Sequence, residues 1–451
     1  MNPLRSFPYG AAALCLLALS LASGAWLAAS YPAKKTATLT YWVFNKPNRG
    51  TFERIGAFER SHPGIKVDLQ LVALSGLAQR LQAAFQADLQ SGLPDLVSVE
   101  ISSAGTFFRG PLHSVGFLDL TDRIRREGLT DRIVRARFAP YTKQGRIFGL
   151  PNDVHPVMLA YRRDLMAQAG VDVNKIETWD DFIAAGMQVT IPGRRFMIEM
   201  SDTGRDMIEV CLFQRGGGYF DANGNCIFDN EIGIQTLLWY VPLVAKNSET
   251  RIAGSLSSSY GAIITQAMED GYFVCLIAPD WRTKFIENDI PRLKGKMALM
   301  PLPAVTPGGR RTSTWGGTML GITRKCKRPD LAWELAKYLT LNEEDQAARF
   351  AETNMLPPVQ AAWSDPVFDQ PRPYWSNQPL GRLYADLAPD VPPQYTSPFI
   401  VAAKGKLSEA LVASVQYYNQ HGEAGFEPFA RARLKQSAEA IRKLMARSPY
   451  E

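Results

Sequence analysis

Between residues 38 and 100 the hydrophobic pattern switches repeatedly between strand and helix periods, and this most restricts how the chain can fold. Residues 38–44 (TLTYWVF) are β-branched and aromatic, suiting a buried strand. After a turn at 45–50, residues 51–61 place Phe52, Ile55 and Phe58 on one side of a helix. Pro63-Gly64 breaks that helix, and Ile65, Val67, Leu69 and Leu71 then alternate as a second strand. Leu77, Leu81, Phe85 and Leu89 mark a second helix, ended by Gly92 and Pro94 before a third strand at 95–100 (DLVSVE). Helices between consecutive strands call for a parallel sheet with right-handed crossovers, so the expectation is an α/β domain. Ligands of such sheets bind beyond the carboxyl ends of the strands. Here those ends are Trp42 to Asn45 and Glu100 to Ser103. A carboxylate such as Glu100 is costly to bury unpaired, which favours its facing a ligand. Trp42 is read either as a stacking surface or as core.

The rest of the chain alternates more loosely. A turn at 145–151 (GRIFGLP) leads into an apolar strand ending at Tyr161, and Thr178 caps a helix over 180–187. A strand is expected at 196–200, a Gly- and Asn-rich turn at 216–225, and a helix at 229–244. Residues 262–281 run from helix through Gly271 into an apolar strand and a Pro-Asp-Trp corner. Pro301 and Pro303 lack a backbone N–H, which places the strand at 297–303 at an edge or an end. Residues 307–317 (PGGRRTSTWGG) are loop by composition, 318–323 return to strand, and Leu331, Leu335 and Leu339 mark a helix. The proline-rich stretch 357–400 is expected to be irregular and wrapped over the surface. Two amphipathic helices, near 407–418 and 429–445, follow.

Residues 6–33 carry no charge, Arg5 precedes them, and 11–21 are apolar. This is the layout of a secretory signal, with small residues at Ala22-Ser23-Gly24 and Ala28-Ala29-Ser30 for cleavage. Residues 10–29 are equally long enough for an uncleaved anchor. Either reading puts the remainder outside the cytoplasm. Without residues 1–30 the chain keeps 49 basic and 44 acidic side chains, a mild excess spread along its length. The Arg123, Arg125, Arg126 cluster reads as a solvated helix face, and no nucleic-acid partner is indicated. Cys211, Cys226, Cys275 and Cys326 permit two disulfides in three pairings, Cys211–Cys226 being the most local. Buried free thiols are the alternative.

Catalytic constellations are not found. The four histidines (His62, His113, His155 and His421) are far apart, and no HExxH, CxxC, GxSxG or phosphate-binding GxxxxGK[ST] motif occurs. Glu100 and Asp280 are the residual candidates for a glycosidase pair, but nothing places them together. No enzyme activity, metal or cofactor is therefore expected. What remains is a set of aromatic and polar residues beside Gly and Pro: Trp42, Tyr219, Asp280-Trp281, Trp315-Gly316-Gly317 and Tyr374-Trp375. Flat rings suit the C–H faces of a sugar, and charged or amide groups suit its belt of hydroxyls.

Several stretches, in this order and spacing, carry a family resemblance. They are Tyr41-Trp42 with HPGIKV (62–67), Pro94-Asp95-Leu96-Val97, Gly116-Phe117-Leu118-Asp119-Leu120, and GRIFGLPNDVHPVMLAYRRDLMAQAGVDVNKIETWDDF (145–182). Further along come GGGYFDANGN (216–225), 267–271 with Asp280-Trp281, Pro301-Leu302-Pro303 with Trp315-Gly316-Gly317, and Ala332-Trp333 with 337–339. Together they resemble the extracellular solute-binding proteins of sugar-type ABC importers, the maltose-binding-protein-like family, over most of residues 38–350. Arg162 stands where that family often has Asn, and 357–400 match nothing in it.

The resemblance implies two α/β lobes of the periplasmic-binding-protein fold, joined by crossing hinge segments with the ligand cleft between them. Residues 36–152 and 316–353 would form one lobe, 153–315 and 354–447 the other. Ligand-facing positions would be Trp42, Asn45, Glu100, Asp153, His155, Tyr219, Asp280, Trp281, Trp315, Gly316, Gly317, Tyr374 and Trp375. A monomer would close on a carbohydrate and deliver it to membrane permeases served by a separate ATPase. A polyamine, glycerol phosphate or metal chelate is the alternative solute, and an enzyme or sensor module is the third reading.

Overall fold

The computed structural model of the chain describes residues 10–30, 37–47 and 49–448. Two five-stranded sheets organise it. In the first, the strands lie in the order Ile65–Leu71, Ala37–Val43, Leu96–Glu100, Thr318–Ile322, Leu150–Pro151. The first three are parallel, as the intervening helices Arg49–Ser61 and Leu74–Gln86 require. Thr318–Ile322 enters from late in the chain and pairs antiparallel with both of its neighbours.

Strand parity then sorts the side chains. Leu39, Tyr41 and Val43 face Phe58, Trp333 and Leu335. Trp42, Val97 and Val99 face the opposite layer, with Leu77, Leu81 and Phe117. Not every expected apolar position is covered: Phe52, Leu71 and Leu89 are exposed. Leu71 ends an edge strand, and Leu89 lies past the end of its helix at Gln86.

The second sheet has the order Met297–Pro301, Val157–Arg162, Phe273–Pro279, Phe196–Glu199, Ala253–Gly254. Met297–Pro301 lies at its edge, where a proline interrupts no ladder. Val157–Arg162 is buried at all six positions because both faces of this sheet are covered. One covering layer includes the helix Trp179–Val189, whose start is fixed by a capping box between Thr178 and Asp181.

The other layer corrects the expectation for 357–400. This stretch is irregular, made of the short 3₁₀ turns Gln360–Ser364, Pro366–Asp369 and Pro373–Trp375 and the helix Leu380–Leu387. It is core all the same. Trp363, Phe368, Trp375 and Tyr384 pack with Met158, Ala160 and Leu276 of the sheet. Burial is tolerable because the polar tips are satisfied: Tyr384 Oη donates to Ala278 O at 2.9 Å and Trp363 Nε1 to Pro357 O at 3.0 Å.

The last two helices are Ile400–His421 and Phe426–Ala446. The N-terminal segment is a helix, Gly10–Ser30, with Leu16, Leu17, Leu19 and Leu21 exposed. Among the described residues no helix is long and apolar enough to cross a membrane. Cys211, Cys226, Cys275 and Cys326 are free thiols, so none of the three disulfide pairings is formed. Burial pushes the thiols up, to about 12 for Cys211 and about 11 for Cys226.

Candidate ligand-binding cleft

The chain passes from the first sheet to the second just after Pro151 and returns around Thr314–Gly317. A buried polar network ties these crossings together. Arg137 donates to Asp153 O at 3.2 Å, Asp153 Oδ1 at 3.3 Å, Thr314 Oγ1 at 3.0 Å and Gly316 O at 3.1 Å. Asp153 Oδ1 also accepts from Thr318 N at 3.0 Å. His155 sits between two carboxylates, with Nε2 3.2 Å from Asp153 Oδ2 and Nδ1 2.6 Å from Asp280 Oδ1. Asp280 accepts from Leu356 N at 2.6 Å, which ties in the segment that follows the helix Glu343–Thr353.

The electrostatics follow from this packing. Burial works against a charge on His155, but Asp153 and Asp280 outweigh it and lift the imidazole to about 9. Burial also opposes ionisation of Asp153, yet His155 and Arg137 hold it well below the usual carboxylate range. With both ring nitrogens facing carboxylates, His155 is a charged pin and has no lone pair left for a base or a metal ligand. Its backbone has φ +58°, a sparsely populated region for any residue but glycine. At Gly317, a Cβ would stand 1.8 Å from Arg137 Nη2, so the second crossing needs glycine to pass the guanidinium.

Between the lobes lies a cleft of about 640 Å³. Its second-lobe wall is aromatic. Trp281 and Trp315 meet edge to face with centroids 5.5 Å apart, and Trp281 Nε1 donates to Trp315 O at 2.9 Å. Tyr260 stacks 6.3 Å from Trp281 at 21°, and Phe285 lies 5.8 Å away one helical turn on. Tyr260 is 43% exposed and Phe285 50%, so their rings are open to a ligand. Arg282, itself buried, stands 5.3 Å from the Tyr260 ring centroid and 5.4 Å from that of Trp315, backing the wall with a cation.

The opposing wall is polar, with Asn45, Arg54, Ser98, Glu100, Ser102 and Arg349. Glu100 caps the short helix Ile101–Ala104, accepting from Ser102 N at 2.9 Å and from the Ser102 hydroxyl. Burial raises its carboxyl above the ordinary value, against the pull of Ser102.

Nine of the thirteen expected site residues line this cleft: Asn45, Glu100, Asp153, His155, Tyr219, Trp281, Trp315, Gly316 and Gly317. Tyr219 does so mainly as a support, its hydroxyl donating to Glu209 Oε1 at 2.7 Å. The other four are elsewhere. Trp42 points into the first-lobe core because of its place in the strand alternation, with Nε1 on Gln70 at 2.9 Å and Arg80 over its ring at 4.5 Å. Asp280 is fully buried, its carboxylate used up by His155, Trp281 N and Leu356 N. Tyr374 and Trp375 are second-lobe core, bonded to Ile290 O at 2.8 Å and Glu287 Oε1 at 2.8 Å. Sequence reasoning missed Tyr260, Phe285, Arg54 and Arg349. Tyr260 was detectable as the lone aromatic of a serine-rich loop (SLSSSYG, 255–261), and Phe285 as the residue one turn after Trp281.

The sequence matches the model of the bacterial extracellular solute-binding protein family over residues 32–346. The chain belongs to that family. Among curated relatives of this solute-binding protein, an arabinooligosaccharide-binding protein of Halalkalibacterium halodurans is 29% identical over 342 residues, 75% of each chain. A lactose-binding protein of Rhizobium radiobacter is 24% identical over 366 residues, 78% of this chain and 82% of its own. Among solved structures, an extracellular solute-binding protein of family 1 superposes with TM-score 0.74 at 24% identity, covering 89% of this chain and all of the other. The sugar-binding protein MalE of Xanthomonas citri gives TM-score 0.71 at 19% identity over 91% of this chain and 100% of that one. The fold is the two-lobed one of periplasmic binding proteins.

Proposed function

We propose that this solute-binding protein is the extracytoplasmic receptor of an ABC importer and captures an oligosaccharide by hinge closure. The observation that carries the reading is the open aromatic wall of Tyr260, Trp281, Phe285 and Trp315 facing a polar wall across one cleft. Rings on one side suit sugar faces, and Asn45, Ser98 and Glu100 on the other suit sugar hydroxyls. That relatives are named for arabinooligosaccharide and lactose binding supports the same ligand class.

The lobes would be 36–152 with 316–353, and 153–315 with 354–447, so that a ligand touching both walls favours the closed state by its differential affinity. Residues 1–30 would direct export and be removed, leaving a monomeric receptor that docks on inner-membrane permeases powered by a separate ATPase. No reaction is performed on the ligand. The test is a thermal-shift screen of the mature chain against oligosaccharides, polyamines and glycerol phosphate, since a ligand that binds only the folded state raises its melting temperature. Stabilisation by a polyamine or glycerol phosphate, with none by any saccharide, overturns the reading.

A further inference from the structure

Charge pairing in the cleft is uneven. Arg137 and His155 are matched to Asp153 and Asp280. Arg205 Nε is 3.0 Å and Lys404 Nζ 3.5 Å from the carboxylate of Glu209. Arg54 and Arg349 also line the cleft, but among the described residues no carboxylate forms an ion pair with either.

The hydrogen bonds of these two arginines show which edges are left over. Arg54 Nη2 makes a long contact with Thr51 Oγ1 at 3.5 Å. Arg349 spends Nη1 on Asn152 O at 2.7 Å, with Asn152 Oδ1 at 3.4 Å and Gln346 Oε1 at 3.3 Å. Its Nε–Nη2 edge, the one that meets an oxyanion side on, has a single weak partner, Met355 Sδ at 3.8 Å. Burial pulls the Arg349 guanidinium below its ordinary range; Asp153 counters this, and the nearby charge of Arg54 adds to it. Two neighbouring cations that no carboxylate touches directly are unfavourable in a site partly removed from water, and an anion between them lowers the penalty. A planar guanidinium fork is the group best shaped for carboxylate or phosphate oxygens.

We propose that the ligand is an anionic saccharide whose carboxylate or phosphate docks between Arg54 and Arg349 while its rings lie along the Trp281–Trp315 wall. This rests on the oligosaccharide reading and narrows it. A neutral sugar would leave both cations facing its hydroxyls. An acidic one supplies the missing charge and fixes its own direction in the cleft.

Titration calorimetry on the mature chain tests this with three matched probes: β-galactobiose, digalacturonate, and a galactobiose carrying a terminal phosphate. We expect at least one anionic probe to bind at least tenfold more tightly than the neutral one, with an advantage that shrinks as salt rises. The carboxylate and phosphate arms tell the two sources of the anion apart. Arg54→Gln should remove the advantage, weakening the favoured anionic probe at least tenfold more than the neutral one. Arg349→Gln should do the same, but Arg349 also holds the Asn152 carbonyl, so Arg54→Gln and the salt dependence are the readings free of hinge damage. Equal or tighter binding of the neutral probe overturns the proposal and leaves the oligosaccharide reading standing. Binding of none of the three overturns the proposal, and the wider thermal-shift screen then decides whether that reading falls with it.

Discussion

Trp281 and Trp315 on one hand, and Tyr374 and Trp375 on the other, look alike in the sequence, all beside proline, glycine or a turn. The structure gives them opposite surroundings. The first pair lines the cleft, partly exposed, beside Tyr260 and Phe285. The second pair belongs to the Pro373–Trp375 turn and packs into the core, with Trp375 fully buried and its Nε1 on Glu287. Local context therefore does not separate a cleft surface from a core filler. The difference is whether another element of the chain covers the ring, and that depends on long-range packing.

The largest effect expected from this contrast is at Trp375. Replacing it by Ala should destabilise the fold by about 3–5 kcal/mol, the usual cost of emptying a buried Trp site. Refolded protein should bind its ligand with nearly unchanged affinity. Denaturant melts and calorimetry on Trp375→Ala check both halves, and a normal melt with lost binding would erase the distinction between the pairs.

The same contrast explains what could be read from the chain in advance. The first sheet was legible because each strand and helix signals its type within ten or so residues, as in 38–44 and 65–71. The order of the second sheet was not, because Phe273–Pro279 lies between Val157–Arg162 and Phe196–Glu199, and only tertiary packing decides that. Within the site, Trp315-Gly316-Gly317 was readable from its glycines, which the crossing past Arg137 needs. Arg54 and Arg349 were not, since an arginine on an amphipathic helix reads as solvated surface whether or not a cleft opens beside it.

Asp280 and Trp281 sharpen the comparison to two adjacent residues, one a buried pin and the other a cleft surface. The pin makes a pH prediction. His155 is raised from an ordinary value near 6.5 to about 9 by Asp153 and Asp280, against the effect of burial. A raised folded-state value means the stabilisation is complete below about 6.5 and is lost as pH climbs through about 9. Melting temperature should fall over that interval by an amount worth about a few kcal/mol. His155→Gln should be less stable at pH 6 and should flatten the profile. A wild-type profile that is already flat between pH 6.5 and 9.5 would mean that His155 is not charged in the fold.

The smallest effects belong to the open wall. Trp281→Ala should weaken oligosaccharide binding by about 1–3 kcal/mol, the range of a well-placed aromatic contact, with less cost to the fold than Trp375→Ala. The Trp281 indole also donates from Nε1 to Trp315 O, so Trp281→Phe separates the two contributions: it keeps a ring and drops the bond. Retained affinity in Trp281→Phe with loss in Trp281→Ala assigns the binding to the ring. Phe285→Ala removes a ring that is already half exposed and makes no hydrogen bond, so it should cost about 1 kcal/mol or less in affinity and almost nothing in stability. If Phe285→Ala melted early like Trp375→Ala, the exposed wall would be holding the lobe together, and the division between cleft and core aromatics would be wrong at its most exposed member.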